Sequence, residues 1–295
     1  KVVGAPMWGS SQRTLAMIDS ARAAGTDARV DQYPYTATYT GISILVPAWA
    51  RAGGNEAFQE RLADPVLHDS IVDGIIFNIV NDRGAGDIDR VQLARVSWDR
   101  SLEGGTLADW ARREGLDPTP ETGAQLVIEA MRRGGASAIY HALEEDDVRR
   151  IMRHPQTMVA SDGRLTRPGE GHPHPRWYGT FPRVLGHYVR EQGVLDLPEA
   201  VHKMTALPAA LMGLRDRGEI REDAFADLVV FDPETVTDRA TFQDPHQYPV
   251  GIPFVLVNGV VTVDEGEFLD VRPGRALRRA RDSGAPLADG ADAGR

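Results

Sequence analysis

Cysteine is absent from all 295 residues, which excludes disulfides and thiolate metal ligands within this chain. Long hydrophobic runs are absent too: no stretch approaches the ~20 apolar residues of a membrane-spanning helix. These residues carry no signal-peptide pattern, and the expected setting is cytoplasmic. Basic charge is the scarcer sign, 33 Lys and Arg against 43 Asp and Glu. The resulting net charge of -10 disfavours non-specific binding to nucleic acid or to an anionic membrane. An initiating methionine is also missing. The chain starts on Lys1 with KVVGAP, which reads as the interior of a longer sequence, and an N-terminal half is expected upstream.

What is present fits a soluble globular protein, with 42% hydrophobic and 26% charged residues and a length suited to one large domain or two smaller ones. Apolar residues at Leu15, Ile18 and Ala21 predict a helix over 14–22, and 28–37 reads as a strand running into the Pro34 turn. Helix and strand alternate here as in a βαβ repeat. From about 40 to 139 that rhythm is lost. Helices are expected over 58–67, 72–80, 106–113 and 122–133, with strands over 90–96 and 136–140, as an insertion between two barrel strands.

Residues 144–154 (EEDDVRRIMRH) place acids first and bases last, in the sense the helix dipole favours, and Pro155 ends the helix. Met158–Ala160 reads as a buried strand delivering Asp162. A further helix is expected over 182–192 with Pro182 near its first turn, and one or two more over 198–214, interrupted at Pro208. After Gly218 the texture becomes β-rich, with Asn258-Gly259 as a hairpin turn. The expected division is a barrel part over 1–217, a small β part over 218–270 and a flexible tail over 271–295.

Asp162 leads the candidates for chemistry. A carboxylate at the end of an apolar strand can serve a metal-held water and move its proton, yet Asp-Gly also suits an Asp that caps its own turn. Spacing alone leaves both open. His172-Pro173-His174 admits a metal pair or, in so proline-rich a loop, hydrogen-bonded or solvent-facing imidazoles. Arg176 offers a planar fork for a substrate carboxylate or a structural ion pair. Of Tyr33 and Tyr35, one phenol can face the site while the other packs. The glycines at 163, 169 and 171 lack the strand–loop–helix context of a phosphate loop.

Several stretches together resemble the N-acyl-D-amino-acid deacylases (D-aminoacylases) of the amidohydrolase superfamily. They are KVVGAPMWGSSQRTL, DQYPYTA, EEDDVRRIMRHPQTMVASDG, HPHPRWYGTFPRVLGHYVRE, AVHKMTALPAALMGL, ADLVVFDPETVTDRATF and GIPFVLVNG. The resemblance implies the C-terminal part of a TIM-type (β/α)8 barrel with an inserted helical segment, plus strands of a small β-sandwich. It implies one or two zinc ions, with Asp162 as a metal ligand and proton shuttle. Lys1, Tyr33 and Arg176 would hold the substrate α-carboxylate.

In that family the other metal ligands (an HxH motif, a cysteine and two later histidines) lie upstream of the position of Lys1. An N-terminal half or companion chain is therefore implied, making the working enzyme a heteromer or a longer chain. The loop from Gly163 to Arg176 is longer than in many relatives. The implied activity is zinc-dependent hydrolysis of N-acyl-D-amino acids. A cyclic-amide or dipeptide-type hydrolase of the same fold and a non-catalytic assembly subunit are the alternatives. No Lys or Arg lies between Tyr35 and Arg51, which favours a neutral or hydrophobic side chain in the substrate.

Overall fold

The computed structural model describes residues 2–84 and 86–277. Helix α1 (Ser11–Ala23) leads to strand β1 (Val30–Gln32). The chain then runs through β2 (Thr38–Gly41), α2 (Ala48–Arg51), α3 (Gly54–Ala63), α4 (Pro65–Asn81) and β3 (Val91–Arg95). Next come α5 (Leu107–Arg113), α6 (Pro120–Arg132), β4 (Ser137–Tyr140), α7 (Glu145–Arg153) and β5 (Thr157–Val159). Helix α8 (Arg176–Arg183) continues directly into a π-helical segment (Val184–Glu191). It is followed by α9 (Leu197–Met204), α10 (Ala206–Met212), β6 (Leu228–Val230), β7 (Phe254–Val257), β8 (Val260–Asp264) and β9 (Glu267–Phe268).

The parallel pair β1–β5 positions the site. Val30, Asp31 and Gln32 face Thr157, Met158 and Val159 in register. Helix α7, which feeds β5, is well specified locally. The Glu144 side chain caps it by accepting from the N–H groups of Asp146 and Asp147, and Arg150 and Arg153 occupy its last turn. Asp147 then ties α7 to the start of α1, accepting from Gly9 N at 2.7 Å, from Ser11 N at 3.2 Å, and from the Ser11 hydroxyl. Beneath the strand, Val148, Met152, Val159, Val184 and Tyr188 form one apolar cluster. The buried Lys203 of α9 donates to the carbonyls of His154 at 2.6 Å and Thr157 at 3.4 Å, fastening the entry to β5.

Between β1 and β5 the chain builds a second core. β4 is the centre of a three-stranded antiparallel sheet of order β2-β4-β3. On α4, Ile71, Ile75 and Ile79 recur every fourth residue and are all completely buried. Each such side chain contributes about 2 kcal/mol through burial. They meet Ile42, Leu107 and Val127 in one cluster. Thr106 and Asp109 close a capping box at the start of α5.

Several helix boundaries differ from expectation. The helix expected over 58–67 is broken at Asp64, which ends α3 and caps α4 by accepting from Val66 N and Leu67 N, and α4 starts seven residues before the expected 72. The helix expected from Pro182 begins at Arg176, with Pro175 as its N-cap and Pro182 inside it. Pro182 has no N–H to return to the preceding turn, and beyond it the helix widens into the π form. The break expected at Pro208 lies instead at Thr205, whose φ of -131° and ψ of -84° leave helical space. Pro208 falls in the first turn of α10, where a missing N–H costs little.

No closed barrel forms among the described residues. β1 and β5 pair only with each other there, so each has one edge without a partner strand. The C-terminal sheet has the order β6-β7-β8-β9 and is antiparallel, with Asn258 and Gly259 turning β7 into β8 at φ of 49° and 79°. It leaves Val229, Val230 and Phe268 exposed. Most of the tail expected over 271–295 lies outside the described residues.

Candidate active site

Just past β5, Ala160 still donates to Gln32 of β1 at 2.9 Å, so the chain leaves the sheet only at Ser161. Asp162 then takes a φ of 45°, in the left-handed region that residues with a side chain rarely occupy. The turn is closed by Ser161, whose hydroxyl accepts from Gly163 N at 3.2 Å. The Asp162 carboxylate is thus not used as a turn cap.

That carboxylate meets Arg176. The guanidinium Nη2 donates to Asp162 Oδ2 at 2.6 Å, while Nε donates to the Asp162 carbonyl at 3.0 Å. One fork therefore holds both the side chain and the strained backbone of the same residue. Arg176 is only 3% exposed whereas Asp162 is 69% exposed, so the pair presents a carboxylate outward from a buried cation. The Arg176 Nη1 atom is buried with no hydrogen-bond partner among the described residues, and so are Trp177 Nε1 and Tyr35 Oη. Buried polar atoms without partners are uncommon and costly.

Tyr33 completes the cluster from β1. Its ring centroid lies 4.5 Å from the Arg176 guanidinium carbon, a cation–π contact. Burial raises the phenol pKa, with the Arg176 charge opposing the rise. Burial likewise lowers the pKa of Arg176, against the pull of Tyr33 and Asp162. Tyr33 and Asp162 share a cleft of about 730 Å³ with Val3, Leu15, Ile18 and Val30. Tyr35, by contrast, is packed inside at 3% exposure. Lys1 lies outside the described residues, though Val2 and Val3 line the same cleft.

The two loop histidines are engaged with backbone. The His172 Nε2 atom donates to the Phe242 carbonyl at 2.7 Å. His174 is fully buried, donates from Nε2 to the Ala37 carbonyl at 3.0 Å, and accepts at Nδ1 from Arg176 N at 3.0 Å. Burial drives its pKa well below the ordinary histidine value, and the nearby Arg176 charge adds to the effect. Sequence-based reasoning did not find this cap on α8. Its signal was the order Pro-His-Pro-Arg, in which Pro175 enters a helix whose first free N–H belongs to Arg176. Gln92 was also missed. It accepts from His141 at 3.2 Å and donates to the Phe242 carbonyl at 2.9 Å, holding the 240s segment, on which His172 also rests, to β3.

A catalytic zinc takes three protein ligands and keeps a fourth position open. Among the described residues no group of three His, Asp or Glu side chains converges to hold an ion. Asp162 can offer one carboxylate. The described residues therefore do not make a zinc site by themselves.

A family model described as "Amidohydrolase family" matches residues 79–263. The chain is 41% identical over 283 residues to an N-acyl-D-glutamate deacylase of Alcaligenes xylosoxydans xylosoxydans, covering 95% of this chain and 47% of that protein. It is 37% identical over 291 residues to a D-aminoacylase of the same organism, again covering 95% and 47%. A solved structure of N-acyl-D-glutamate deacylase from Bordetella bronchiseptica, complexed with zinc and a phosphonate inhibitor, superposes with a TM-score of 0.70 at 38% identity. That match covers 94% of this chain and 48% of the other. The chain spans about half the length of the curated relatives it matches.

Proposed function

Because the chain belongs to the amidohydrolase family, we propose that it carries the substrate-binding half of a metal-dependent hydrolase of N-acyl-D-amino acids. The products are a carboxylate and a free D-amino acid. In this reading residues 1–217 are part of a TIM-type barrel interrupted by the insertion at about 40–139, and 218–270 are part of a small β-sandwich. The edges of β1 and β5 that lack a partner strand among the described residues and the exposed Val229, Val230 and Phe268 support a companion segment that completes both. The same segment would supply most of the ligands for one or two zinc ions.

The observation that carries this reading is the buried Arg176, with one arm on Asp162 and Nη1 without an acceptor among the described residues. A guanidinium so placed suits the α-carboxylate of an N-acyl amino acid, which can take up the free arm bidentately with Nη2. Tyr33, stacked on the same guanidinium, would orient that carboxylate from the β1 side, and Lys1 would add a second cation. Asp162 would then take the proton of the attacking water and return it to the leaving amine nitrogen. When bound, the metal supplies the Lewis acidity that polarises the acyl carbonyl and acidifies water.

The test is a panel of N-acetyl-D-amino acids, their L-enantiomers and cyclic amides, assayed with zinc on the enzyme that includes the companion segment. Turnover of the N-acetyl-D series supports the proposal. Turnover confined to cyclic amides replaces the substrate class, and inactivity throughout points to an assembly subunit.

A further inference from the structure

Arg176 is the first residue of α8, and its N–H is one of the donors that a helix start leaves without an intrahelical partner. The cap comes from outside the usual position. Pro175, the N-cap residue, has neither a side-chain acceptor nor an N–H of its own. The acceptor is the imidazole of His174, one residue earlier, with Nδ1 at 3.0 Å from Arg176 N. The opposite nitrogen, Nε2, lies 3.0 Å from the Ala37 carbonyl. A backbone N–H can only donate and a carbonyl can only accept. The two contacts therefore leave one state of the ring, neutral with its proton on Nε2.

The ring is also clamped sideways. Tyr35 and Phe242 stand edge-on to it at centroid distances of 5.2 Å and 5.1 Å, and Tyr33 approaches at 6.0 Å. Pro173 and Pro175 restrict the backbone on either side. Three parts of the chain thus meet on one imidazole: the β1–β2 turn through Tyr33, Tyr35 and Ala37, the 240s segment through Phe242, and α8 through Arg176.

We propose that His174 is a positioning residue for Arg176, setting the guanidinium between Tyr33 and Asp162 as a fixed, neutral Nε2–H imidazole. The inference rests on the reading of Arg176 as the substrate-carboxylate clamp. It goes beyond that reading by naming the residue through which the β1–β2 turn determines where the clamp points. Arg176 sits at the end of a long Gly- and Pro-containing loop that starts at Gly163, and such a loop by itself leaves its last residue free to rotate. The imidazole removes that freedom by joining Arg176 to a carbonyl next to β2. His174 touches neither substrate nor reacting atoms in this arrangement.

The test has two arms. In the complete zinc-loaded enzyme, His174→Leu removes the acceptor, while His174→Asn places an amide oxygen where Nδ1 sits. The expected result for an N-acetyl-D-amino acid is a KM raised about tenfold in His174→Leu, with kcat within about threefold of the parent, and recovery of most of the KM by His174→Asn. A fall in kcat at unchanged KM, or an Asn variant as impaired as the Leu variant, overturns the proposal.

The second arm needs neither turnover nor a variant that folds. In the unsubstituted protein labelled with 15N-histidine, the His174 ring should give the neutral Nε2–H signature and keep it at pH values where an ordinary histidine is protonated. An Nδ1–H tautomer, or protonation at the ordinary histidine value, overturns the proposal. If no N-acyl amino acid is hydrolysed, the functional reading fails while this spectroscopic result still decides the role of His174.

Discussion

Arg176 binds Asp162 twice, through Nη2 to the carboxylate at 2.6 Å and through Nε to the carbonyl at 3.0 Å. The guanidinium is buried and the carboxylate faces the cleft shared with Tyr33. The cation therefore acts as a support from which the acid projects, bound to both the side chain and the backbone of a residue at positive φ.

Asp162→Asn should leave folding and assembly intact, because the amide oxygen can still accept from Arg176. Turnover should fall by roughly 10²- to 10⁴-fold, the usual worth of a general acid–base group. Steady-state kinetics beside a melting curve would check this. Retained turnover with an unchanged melt would exclude the proton-transfer role.

Arg176→Lys keeps the charge but removes the fork. A lysine ammonium cannot hold the carboxylate and carbonyl of Asp162 together while leaving a free arm. The expected loss in kcat/KM is about 10- to 100-fold, carried mainly by KM. Comparing N-acetyl-D-amino acids as substrates for the two enzymes measures it. An Arg-to-Lys exchange without effect would show that the bidentate geometry is not used.

Stability should depend on pH through His174. Burial depresses its folded-state pKa well below 6.5, so the unfolded chain binds the proton more readily. From this group, stability is fully present above about pH 6.5, falls as the pH drops towards the folded-state value, and levels off below it. The groups facing the ring are Arg176, His141, Tyr33 and Tyr35. Burial also depresses the pKa of His141, which adds to the same slope. Urea titrations between about pH 7 and pH 5 should give a shallower slope for His174→Asn than for the parent. Equal slopes would assign the effect to other groups.

Ile75→Ala removes a completely buried side chain from the middle of α4, between Ile71 and Ile79. The loss of burial and the cavity left behind should cost about 2–5 kcal/mol. Because the segment between β1 and β5 has a core separate from the cluster under β5, the damage should concentrate between residues 38 and 140. Hydrogen exchange resolved by segment would show faster opening there than at β5. Uniform loosening of the whole chain would argue for a single cooperative unit.

Much of the local structure was legible in the residues. The α7 helix was readable from its acidic start, its basic end and Pro155, because capping and dipole effects act within a turn or two. The β7–β8 turn was readable from Asn258-Gly259 for the same reason. The start of α8 was not. Pro182 looked like a first-turn proline, whereas the buried imidazole of His174 caps the helix six residues earlier at Arg176, and a π register carries the chain past the proline.

The sequence by itself determined many of the helices and strands, the acidic charge balance, and the identity of Asp162, Tyr33 and Arg176 as candidate site groups. These depend on side-chain chemistry and on neighbours a few residues apart. Only the tertiary structure decided that Arg176 grips Asp162, that Tyr33 stacks on the same guanidinium, and that His174 is a neutral cap rather than half of a metal pair. Those outcomes need β1 beside β5 and the Ala37 carbonyl against a loop more than a hundred residues later. Contacts at that separation are selected by the burial of two whole cores, not by any local preference of the residues that make them.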